Sequence, residues 1–159
     1  MTWKPDVTVA AVVERGGRYL MVEERAGGRL VFNQPAGHLE SGESLLEAVV
    51  RETLEETTWG FEPQFLLGIY MWAPPGRKRS FLRVAFGGAI LERDADRSLD
   101  RGIVRADWYT REQLLARSAR LRSPLVMRCI DDHIAGCRHA LDVLNHVNGA
   151  PVDALSRIG

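Results

Sequence analysis

The segment that most constrains the fold is residues 44–57, which have the pattern of a helix with an apolar side and an acidic side. Ser44 stands three residues before Glu47, the spacing at which a hydroxyl and a carboxylate cap each other's free backbone amides. Three apolar side chains fall within about 80° of one another and predict the side that faces a core: Leu46, Val50 and Leu54. Two glutamates lie nearly opposite that stripe: Glu52 and Glu56. This pattern predicts a helix that packs on one side and presents carboxylates on the other.

Segments with the pattern of β-strands surround this helix. They are rich in β-branched and aromatic residues between glycine or proline turns, and they cover residues 7–13, 19–22, 30–34, 65–72, 81–91 and 104–109. The first two predict a β-hairpin, because a glycine turn separates them. Helices are predicted at residues 111–117 and, as a long C-terminal helix, from Pro124 to about residue 147. Together these elements predict an α/β fold with a mixed β-sheet in an α/β/α sandwich.

The composition fits one domain that carries no strong electrostatic field. A chain of 159 residues with 45% hydrophobic content can bury its own core, and we expect a single domain over residues 1–148. Residues 149–159 have weak apolar periodicity and are expected to form a flexible tail. Twenty-one Lys and Arg balance twenty-one Asp and Glu, which argues against nucleic-acid or membrane partners. With no targeting or membrane-spanning pattern, we expect a cytoplasmic monomer whose partner is a small molecule.

Three glutamates crowd one side of the predicted helix. Glu52, Glu55 and Glu56 fall within about 100° of one face, and like charges at such spacings destabilise a helix by roughly a few tenths of a kcal/mol per pair. The cluster therefore favours a bound cation, and oxygen ligands select Mg²⁺, Mn²⁺ or Ca²⁺ over zinc. Taken alone, such a cluster is more typical of a solvated helix face. The residues upstream decide between the two interpretations.

Those upstream residues complete a longer pattern. Gly37 is followed after five residues by Glu43, and Glu43 after seven by the adjacent Arg51 and Glu52. This spacing matches G-x5-E-x7-R-E-U-x-E-E-x-G-U, where U is a bulky apolar residue. The chain therefore resembles the Nudix hydrolase family, and this resemblance implies the Nudix fold and an enzyme that hydrolyses phosphoanhydride bonds.

Two positions depart from the pattern of the family. Thr53 stands where a bulky aliphatic residue is usual, and Thr58 stands where a glycine is usual. A β-branched residue disfavours the positive φ that ends many helices, so we expect Gly60 to end this helix instead. Neither departure removes a carboxylate.

The resemblance implies a role for each matching residue. Glu52, Glu55 and Glu56 would hold Mg²⁺, with Mn²⁺ as a substitute, together with the backbone carbonyl of Gly37. Arg51 would pair with the carboxylates and hold them in place. In the family, water activated by the metal attacks phosphorus and a glutamate accepts its proton; Glu52 is the favoured base. Some members use a glutamate outside the pattern, so that alternative stays open.

Residues outside the pattern point to a subgroup. Residues 33–40, 121–126 and 81–83, with Trp72, resemble the NudJ-type subgroup of bacterial Nudix phosphatases. That resemblance implies release of orthophosphate from nucleoside di- and triphosphates. It also implies the same reaction on 4-amino-2-methyl-5-hydroxymethylpyrimidine diphosphate, a thiamine precursor.

Six residues are candidates for contact with such a substrate: Asn33, Gln34, His38, Trp72, Arg79 and Arg83. The two amides can donate and accept hydrogen bonds at a heterocycle edge, and Trp72 or Phe81 can stack on its face. The arginines can meet phosphate oxygens, and His38 adjoins the proposed metal-binding glycine. The aromatic residues equally fit strand-end core positions, and the basic loop equally fits a solvated surface.

Other metal ligands stay open at this point. Glu92 and Asp107 are the acidic residues nearest the predicted strands outside the pattern, and Glu43 is expected to support the loop or an outer metal shell. Three further residues share one helical face at a spacing of four: Cys129, His133 and Cys137. Packing as small apolar residues explains the two cysteines more simply than a zinc site, which would lack a fourth ligand.

Two other functions remain possible. One is a pyrophosphohydrolase that cuts between the α and β phosphorus atoms of nucleoside triphosphates or ADP-ribose, because the same metal cluster serves either cut. The other is a non-catalytic binding module with the Nudix fold. The presence of every charged residue of the pattern favours an enzyme.

Overall fold

The computed structural model describes residues 2–148 of the protein. The strands are β1 Asp6–Val12, β2 Glu14–Arg15, β3 Arg18–Ala26, β4 Arg29–Asn33, β5 Ala36–His38, β6 Trp59–Trp72, β7 Phe81–Arg93 and β8 Ile103–Thr110. The helices are α1 Leu45–Thr57, α2 Arg111–Leu115 and α3 Leu125–Ile134, with short 3-10 turns at Ser118–Arg120 and Leu141–Val143. None of the helices within the described residues is long and apolar enough to cross a membrane.

The strands form two four-stranded sheets. Sheet 1 has the order β5-β1-β7-β6, in which β1 and β7 are parallel and the other pairs are antiparallel. Sheet 2 is antiparallel, and its central strand β3 pairs with β2, β4 and β8. One core lies between sheet 1 and α1, and the other lies between the two sheets and α3. The predicted α/β fold, with a mixed sheet between helices, is confirmed.

The predicted hairpin between residues 7–13 and 19–22 is wrong in its pairing. Strand β1 belongs to sheet 1, where it lies parallel to β7. The hairpin with β3 is confined to the two residues of β2 and one hydrogen bond of 3.0 Å from the Leu20 N–H to the Val13 carbonyl. The turn between β2 and β3 uses Gly16 and Gly17, both with positive φ. The physical reason is burial: residues 9–13 are all buried, so β1 fits a central strand covered on both faces.

Helix α1 begins as predicted. The Ser44 hydroxyl accepts a hydrogen bond from the Glu47 N–H at 3.1 Å, and the Glu47 carboxylate accepts one from the Ser44 N–H at 2.6 Å. These two bonds form the expected capping box and satisfy amides that the helix itself leaves free.

The predicted core stripe of α1 is wrong in part, although Leu46 does pack against the core. Val50 is 36% exposed, and four other side chains face the core: Ala48, Val49, Thr53 and Thr57. The threonines can be buried there because their hydroxyls donate to carbonyls one turn back, at 2.7 and 2.6 Å. The resulting rotation of α1 turns Glu52 and Glu56 toward β5 rather than away from the protein.

The expectation that Gly60 ends α1 is also wrong. Thr58 takes the left-handed conformation, with φ 64° and ψ 5°, and its N–H donates to the Leu54 carbonyl at 2.9 Å. Gly60 already lies within β6. The Thr58 hydroxyl is buried and accepts a hydrogen bond from Arg93 Nε at 3.1 Å, which offsets part of the backbone strain.

The long C-terminal helix predicted to residue 147 is wrong as well, because α3 ends at Ile134. Gly136 follows with φ +83°, a conformation that glycine adopts without steric cost. Two backbone hydrogen bonds of 3.1 and 3.0 Å close the helix in a Schellman motif: Gly136 N–H to His133 O and Cys137 N–H to Asp132 O.

After α3 the chain returns to sheet 1. Leu66 of β6 and His139 exchange two backbone hydrogen bonds of 2.9 Å, and Leu141 and Leu144 then pack against the core beneath α1. The tail predicted at residues 149–159 lies outside the described residues.

Candidate active site

A cleft of about 420 Å³ opens at the β5 side of sheet 1, and both sheets, α1 and the start of α3 line it. The structure brings seven of the predicted site residues to its surface: Gly37, Glu52, Glu56, Asn33, His38, Trp72 and Arg83. Four predicted residues lie beside or behind the lining: Arg51, Glu55, Gln34 and Arg79. The carboxylates and the aromatic side chains thus share one concave surface.

Arg51 connects the carboxylates of α1 to the loop before the helix. Its guanidinium donates to Glu43 at 3.0 and 2.7 Å, and to Glu52 and Glu55 at 2.9 and 3.2 Å. It also donates to the His38 carbonyl at 3.1 Å. The hydrogen bond to Glu43 raises the pKa of Arg51, and Arg51 in turn lowers the pKa of Glu43. Arg51 therefore stays charged, and Glu43 occupies the loop-supporting position expected of it.

Glu52 lies where a side chain at position 37 would be. A Cβ atom added to Gly37 would come within 2.1 Å of the Glu52 carboxyl carbon and one of its oxygens. The absence of a side chain is therefore what allows the carboxyl group to reach the β5 backbone. Burial raises the pKa of Glu52, against the opposing effect of its hydrogen bond with Arg51.

Glu56 is the most buried carboxylate of the cleft, with 7% of its surface exposed. It accepts a hydrogen bond from the Ala36 N–H at 3.1 Å. Among the described residues, no Lys, Arg or His side chain lies within 4.0 Å of its oxygens. Burial therefore raises its pKa well above the ordinary glutamate value, because a buried charge without a cation is costly.

Within residues 2–148, no three His, Cys, Asp or Glu side chains converge closely enough to bind one metal ion as they stand. Arg51 instead pairs with Glu52 and Glu55. The donor set nevertheless fits a hard divalent cation, because it consists of carboxylate oxygens beside a glycine backbone. Arg51 contacts only Oε1 of Glu52 and Oε2 of Glu55, so small rotations can bring the second oxygen of each carboxylate to a cation while Arg51 stays bound. A cation there would also relieve the cost of burying Glu56 as a charge.

Arg83 forms the polar floor of the cleft. It is 6% exposed, and its two terminal nitrogens donate to the side-chain oxygens of Gln34 and Asn33, each at 3.0 Å. Gln34 is 1% exposed and donates with its own amide to the Val126 carbonyl at 2.8 Å. Gln34 therefore lies behind the wall of the cleft, whereas Asn33 and Arg83 lie at its surface.

Aromatic and basic side chains form the outer rim. The rings of Trp72 and Phe81 stack with centroids 5.7 Å apart, and both line the cleft. Arg79 is exposed, forms an ion pair with Asp6 and lies 5.1 Å from the Phe81 ring centroid. One of its nitrogens is 3.4 Å from Nε2 of His38. Arg79 thus stands at the rim, with His38 between it and the carboxylates.

Glu24 is a cleft residue that was not predicted from the sequence. This residue of β3 lines the cleft and pairs with Arg122 at 3.3 Å. Burial raises the pKa of Glu24, and Arg122 opposes that effect. Glu24 belongs to no sequence motif. The sequence signal that could have identified it is a glutamate that follows an apolar strand. The segment singled out at residues 121–126 does reach the cleft, through Arg122, Ser123 and Leu125.

The other candidate metal ligands lie elsewhere. Glu92 and Asp107 are exposed and do not line the cleft. Cys129 is buried in the core between the sheets and α3, and Nδ1 of His133 is 3.0 Å from the Tyr19 hydroxyl. Cys137 follows the end of α3, so the helical spacing that would align it with the other two does not hold.

Known proteins resemble this chain in sequence and in fold. Residues 3–129 match the family described as the NUDIX domain. Phosphatase NudJ of Escherichia coli strain K12 is 38% identical over 146 residues, which cover 92% of this chain and 94% of that protein. Phosphatase NudJ of Shigella boydii serotype 4 has the same identity and coverage.

Solved structures agree with this assignment. A NUDIX hydrolase from Nitrosomonas europaea superimposes with a TM-score of 0.89 at 49% identity, over 92% of this chain and 100% of that one. A MutT NUDIX hydrolase from Burkholderia pseudomallei shares the fold, with a TM-score of 0.66 at 18% identity, over 81% of this chain and 98% of that one. The family match includes the whole of α1 with its carboxylates, and Gly37 beside them. The chain belongs to the Nudix family, and it is a hydrolase that acts on phosphoanhydride bonds.

Proposed function

We propose that the protein releases orthophosphate from small heterocyclic di- and triphosphates in a Mg²⁺-dependent reaction. The substrates are nucleoside di- and triphosphates and 4-amino-2-methyl-5-hydroxymethylpyrimidine diphosphate. The observation that carries this proposal is that one cleft joins the carboxylates Glu52 and Glu56 to the wall that contains Arg83 and Trp72. The relatives named phosphatase NudJ, which align over almost their whole length, support the choice of orthophosphate as the product.

The carboxylates of α1 would hold the metal. Nudix hydrolases generally use a divalent metal ion, typically Mg²⁺. Glu52, Glu55 and Glu56, with the carbonyl of Gly37, supply the oxygen ligands that Mg²⁺ prefers, and Mn²⁺ can substitute for it. When bound, the cation would lower the pKa of the attacking water and neutralise charge on the phosphate oxygens.

Glu52 is the proposed general base. Its carboxyl lies at the cleft surface beside the Gly37 backbone, and burial raises its pKa toward the range in which a base works best. Arg51 is a positioning residue for this step, because it holds Glu52 and Glu55 while Glu43 anchors the guanidinium. Glu52 thus takes the proton of the attacking water while Arg51 maintains its orientation.

The opposite end of the cleft would bind the rest of the substrate. Asn33 and Arg83 offer hydrogen bonds there, and the stacked rings of Trp72 and Phe81 offer an apolar surface to a heterocycle. At the rim, His38 and Arg79 would contact phosphate oxygens that extend past the carboxylates. A volume of about 420 Å³ is in the range of clefts that bind small molecules.

The products test this proposal. We would incubate the protein with Mg²⁺ and the pyrimidine diphosphate, nucleoside di- and triphosphates or ADP-ribose, and detect orthophosphate and pyrophosphate separately. Orthophosphate from the diphosphates is the expected result. Pyrophosphate from triphosphates, or two monophosphates from ADP-ribose, would instead indicate a pyrophosphohydrolase that cuts between the α and β phosphorus atoms. The absence of any product would overturn the proposal.

A further inference from the structure

The orientation of two buried amides follows from the chemistry of Arg83. A guanidinium only donates hydrogen bonds, so the atoms of Asn33 and Gln34 that face it at 3.0 Å must be their oxygens. The nitrogen of Gln34 then points to the Val126 carbonyl, which can only accept. The nitrogen of Asn33 points away from Arg83, on the side of Glu24. Asn33 is a hydrogen-bond donor to the Glu24 carboxylate, so the floor presents the N–H groups of Arg83 and the second N–H of Asn33 beside one carboxylate.

Arg83 is a buried cation whose charge is compensated only from beyond ion-pair distance, by the Glu24 carboxylate of the same cleft. Among the described residues, no Asp or Glu oxygen lies within 4.0 Å of its nitrogens, and its hydrogen-bond partners are neutral amides. The thiol of Cys129 is a further neutral neighbour. No buried side-chain nitrogen within the described residues lacks a hydrogen-bond partner, so the N–H groups of Arg83 that its two amide partners do not use are those accessible from the cleft. An acceptor that enters the cleft would receive hydrogen bonds from these groups.

The position of Arg83 shows which part of a substrate supplies the acceptor. In sheet 1, His38 lies opposite Thr8, and Thr8 lies opposite Arg83, across β5, β1 and β7. Adjacent strands are about 4.8 Å apart, so the backbone of Arg83 is about 10 Å from that of β5. The carboxyl groups of Glu52 and Glu56 of α1 lie beside β5. A diphosphate that reacts at the carboxylates would thus bring its heterocycle to Arg83.

We propose that Arg83 and Asn33 recognise hydrogen-bond acceptors, carbonyl oxygens or ring nitrogens, on the edge of the heterocycle, and that Gln34 is the positioning residue for Arg83. This proposal rests on the proposed function of the same cleft. Gln34 forms hydrogen bonds with both Arg83 and Val126 of α3, so it fixes the position of the guanidinium relative to the start of α3. Gln34 thereby acts on specificity without touching the substrate.

The test compares cytidine diphosphate with benzyl diphosphate, which keeps an aromatic ring and lacks the acceptors. In Gln34→Leu, we expect KM for cytidine diphosphate to rise about tenfold to a hundredfold, because the hydrogen bond between the substrate and the charged Arg83 is lost. We expect kcat to change less than about threefold. The inhibition constant of benzyl diphosphate should stay unchanged. Gln64→Leu, an exposed glutamine of β6, is the matched control and should behave as the wild type.

A double-mutant cycle separates positioning from simple structural damage. If Gln34 acts through Arg83, Gln34→Leu has no further effect on KM once Arg83→Lys has removed the planar donor group. Additive effects would overturn the positioning role, as would an unchanged KM in Gln34→Leu. An equal weakening of benzyl diphosphate would overturn the recognition of acceptors. Melting temperatures establish that each variant is folded.

Nucleotide binding in the absence of metal separates recognition of the heterocycle from catalysis. Calorimetric binding of cytidine monophosphate without metal reports recognition alone, and we expect the same tenfold to hundredfold weakening in Gln34→Leu, again from about one lost charged hydrogen bond. Equal binding by wild type and variant overturns the inference. A wild-type protein that binds the nucleotide but releases no orthophosphate would overturn the proposed function alone.

Discussion

Among single residues, Gly37 is the one that lets the Glu52 carboxyl group lie against the β5 backbone. In Gly37→Ala, the new Cβ would displace the end of the flexible Glu52 side chain and leave the backbone in place. We expect the melting temperature to change by less than about 2 °C, while orthophosphate release falls about a hundredfold, because the base is misplaced. Thermal melts and initial rates measure the two effects.

A surface glycine provides the opposite control. Gly27 has φ +56°, and a Cβ there would meet nothing within 4 Å. Gly27→Ala should cost about 1–2 kcal/mol of backbone strain and lower the melting temperature by a few degrees, with no loss of rate. A fully active Gly37→Ala protein would contradict the close approach of Glu52 to β5.

Glu56 should make the stability of the metal-free protein depend on pH. Burial raises its pKa in the folded state, so the protonated form stabilises the fold below the unfolded-state pKa of about 4.3, and this contribution is lost as pH rises through the raised value. Glu56→Gln stays neutral and keeps an acceptor for the Ala36 N–H. We therefore expect the variant and wild type to melt alike near pH 4, and the variant to melt a few degrees higher near pH 8. Equal melting temperatures at about pH 8 would show that Glu56 is not buried as a charge.

Site residues that belong to one local pattern could be predicted from the sequence, whereas site residues that depend on packing between distant segments could not. The carboxylates and Gly37 follow from one local pattern, because residues on one helix keep their relation whatever packs around it. The pattern could not show that Gln34 lies behind Arg83, since that contact joins β4–β5 to β7 across the chain. Glu24 was missed for the same reason, because only the pairing of β3 in sheet 2 brings it to the cleft.

At the scale of elements, helix α1 shows where periodicity misleads. Its large apolar residues predicted the buried side only in part, since Leu46 packs against the core but Val50 is exposed. Thr53 and Thr57 are buried instead, because their hydroxyls form hydrogen bonds within the helix. The capping box was correct, since it involves only residues close in sequence. Local signals were therefore sufficient for where α1 begins and insufficient for how it is rotated.

The end of α3 gives a prediction at the same scale. Gly136 holds the left-handed position of a Schellman motif, so Gly136→Ala should destabilise the protein by about 1–2 kcal/mol. The melting temperature should fall by roughly 2–8 °C, with kcat unchanged, since the cleft uses only the start of α3. An unchanged melting temperature would mean that the helix end does not depend on this conformation.

At the scale of the whole molecule, the order of elements predicted the class of fold but not the assignment of strands to sheets. Strand β1 was placed in a hairpin because its neighbour in sequence is β3, yet its partner β7 lies far along the chain. Pairing over such distances depends on which faces must be buried, and both faces of β1 are covered. The cleft forms because these long-range strand pairings bring β4, β5 and β7 together.

Removal of residues 149–159 tests the predicted domain boundary. Every residue that lines the cleft lies between Thr8 and Leu125, and the segment from His139 to Leu144 that packs on the core remains. We expect orthophosphate release within about twofold of the full-length rate and an equal yield of soluble protein. Loss of soluble protein would place the boundary beyond residue 148.

Hydrolysis should depend on Mg²⁺ bound by the carboxylates of α1, and the initial rate of orthophosphate release at graded Mg²⁺ concentrations after chelation measures this dependence. We expect no release by the chelated wild type, recovery as Mg²⁺ is added, and rates at least about a hundredfold lower in Glu55→Gln and Glu56→Gln at saturating Mg²⁺. Wild-type rates in either variant, or undiminished release by the chelated protein, would contradict this dependence.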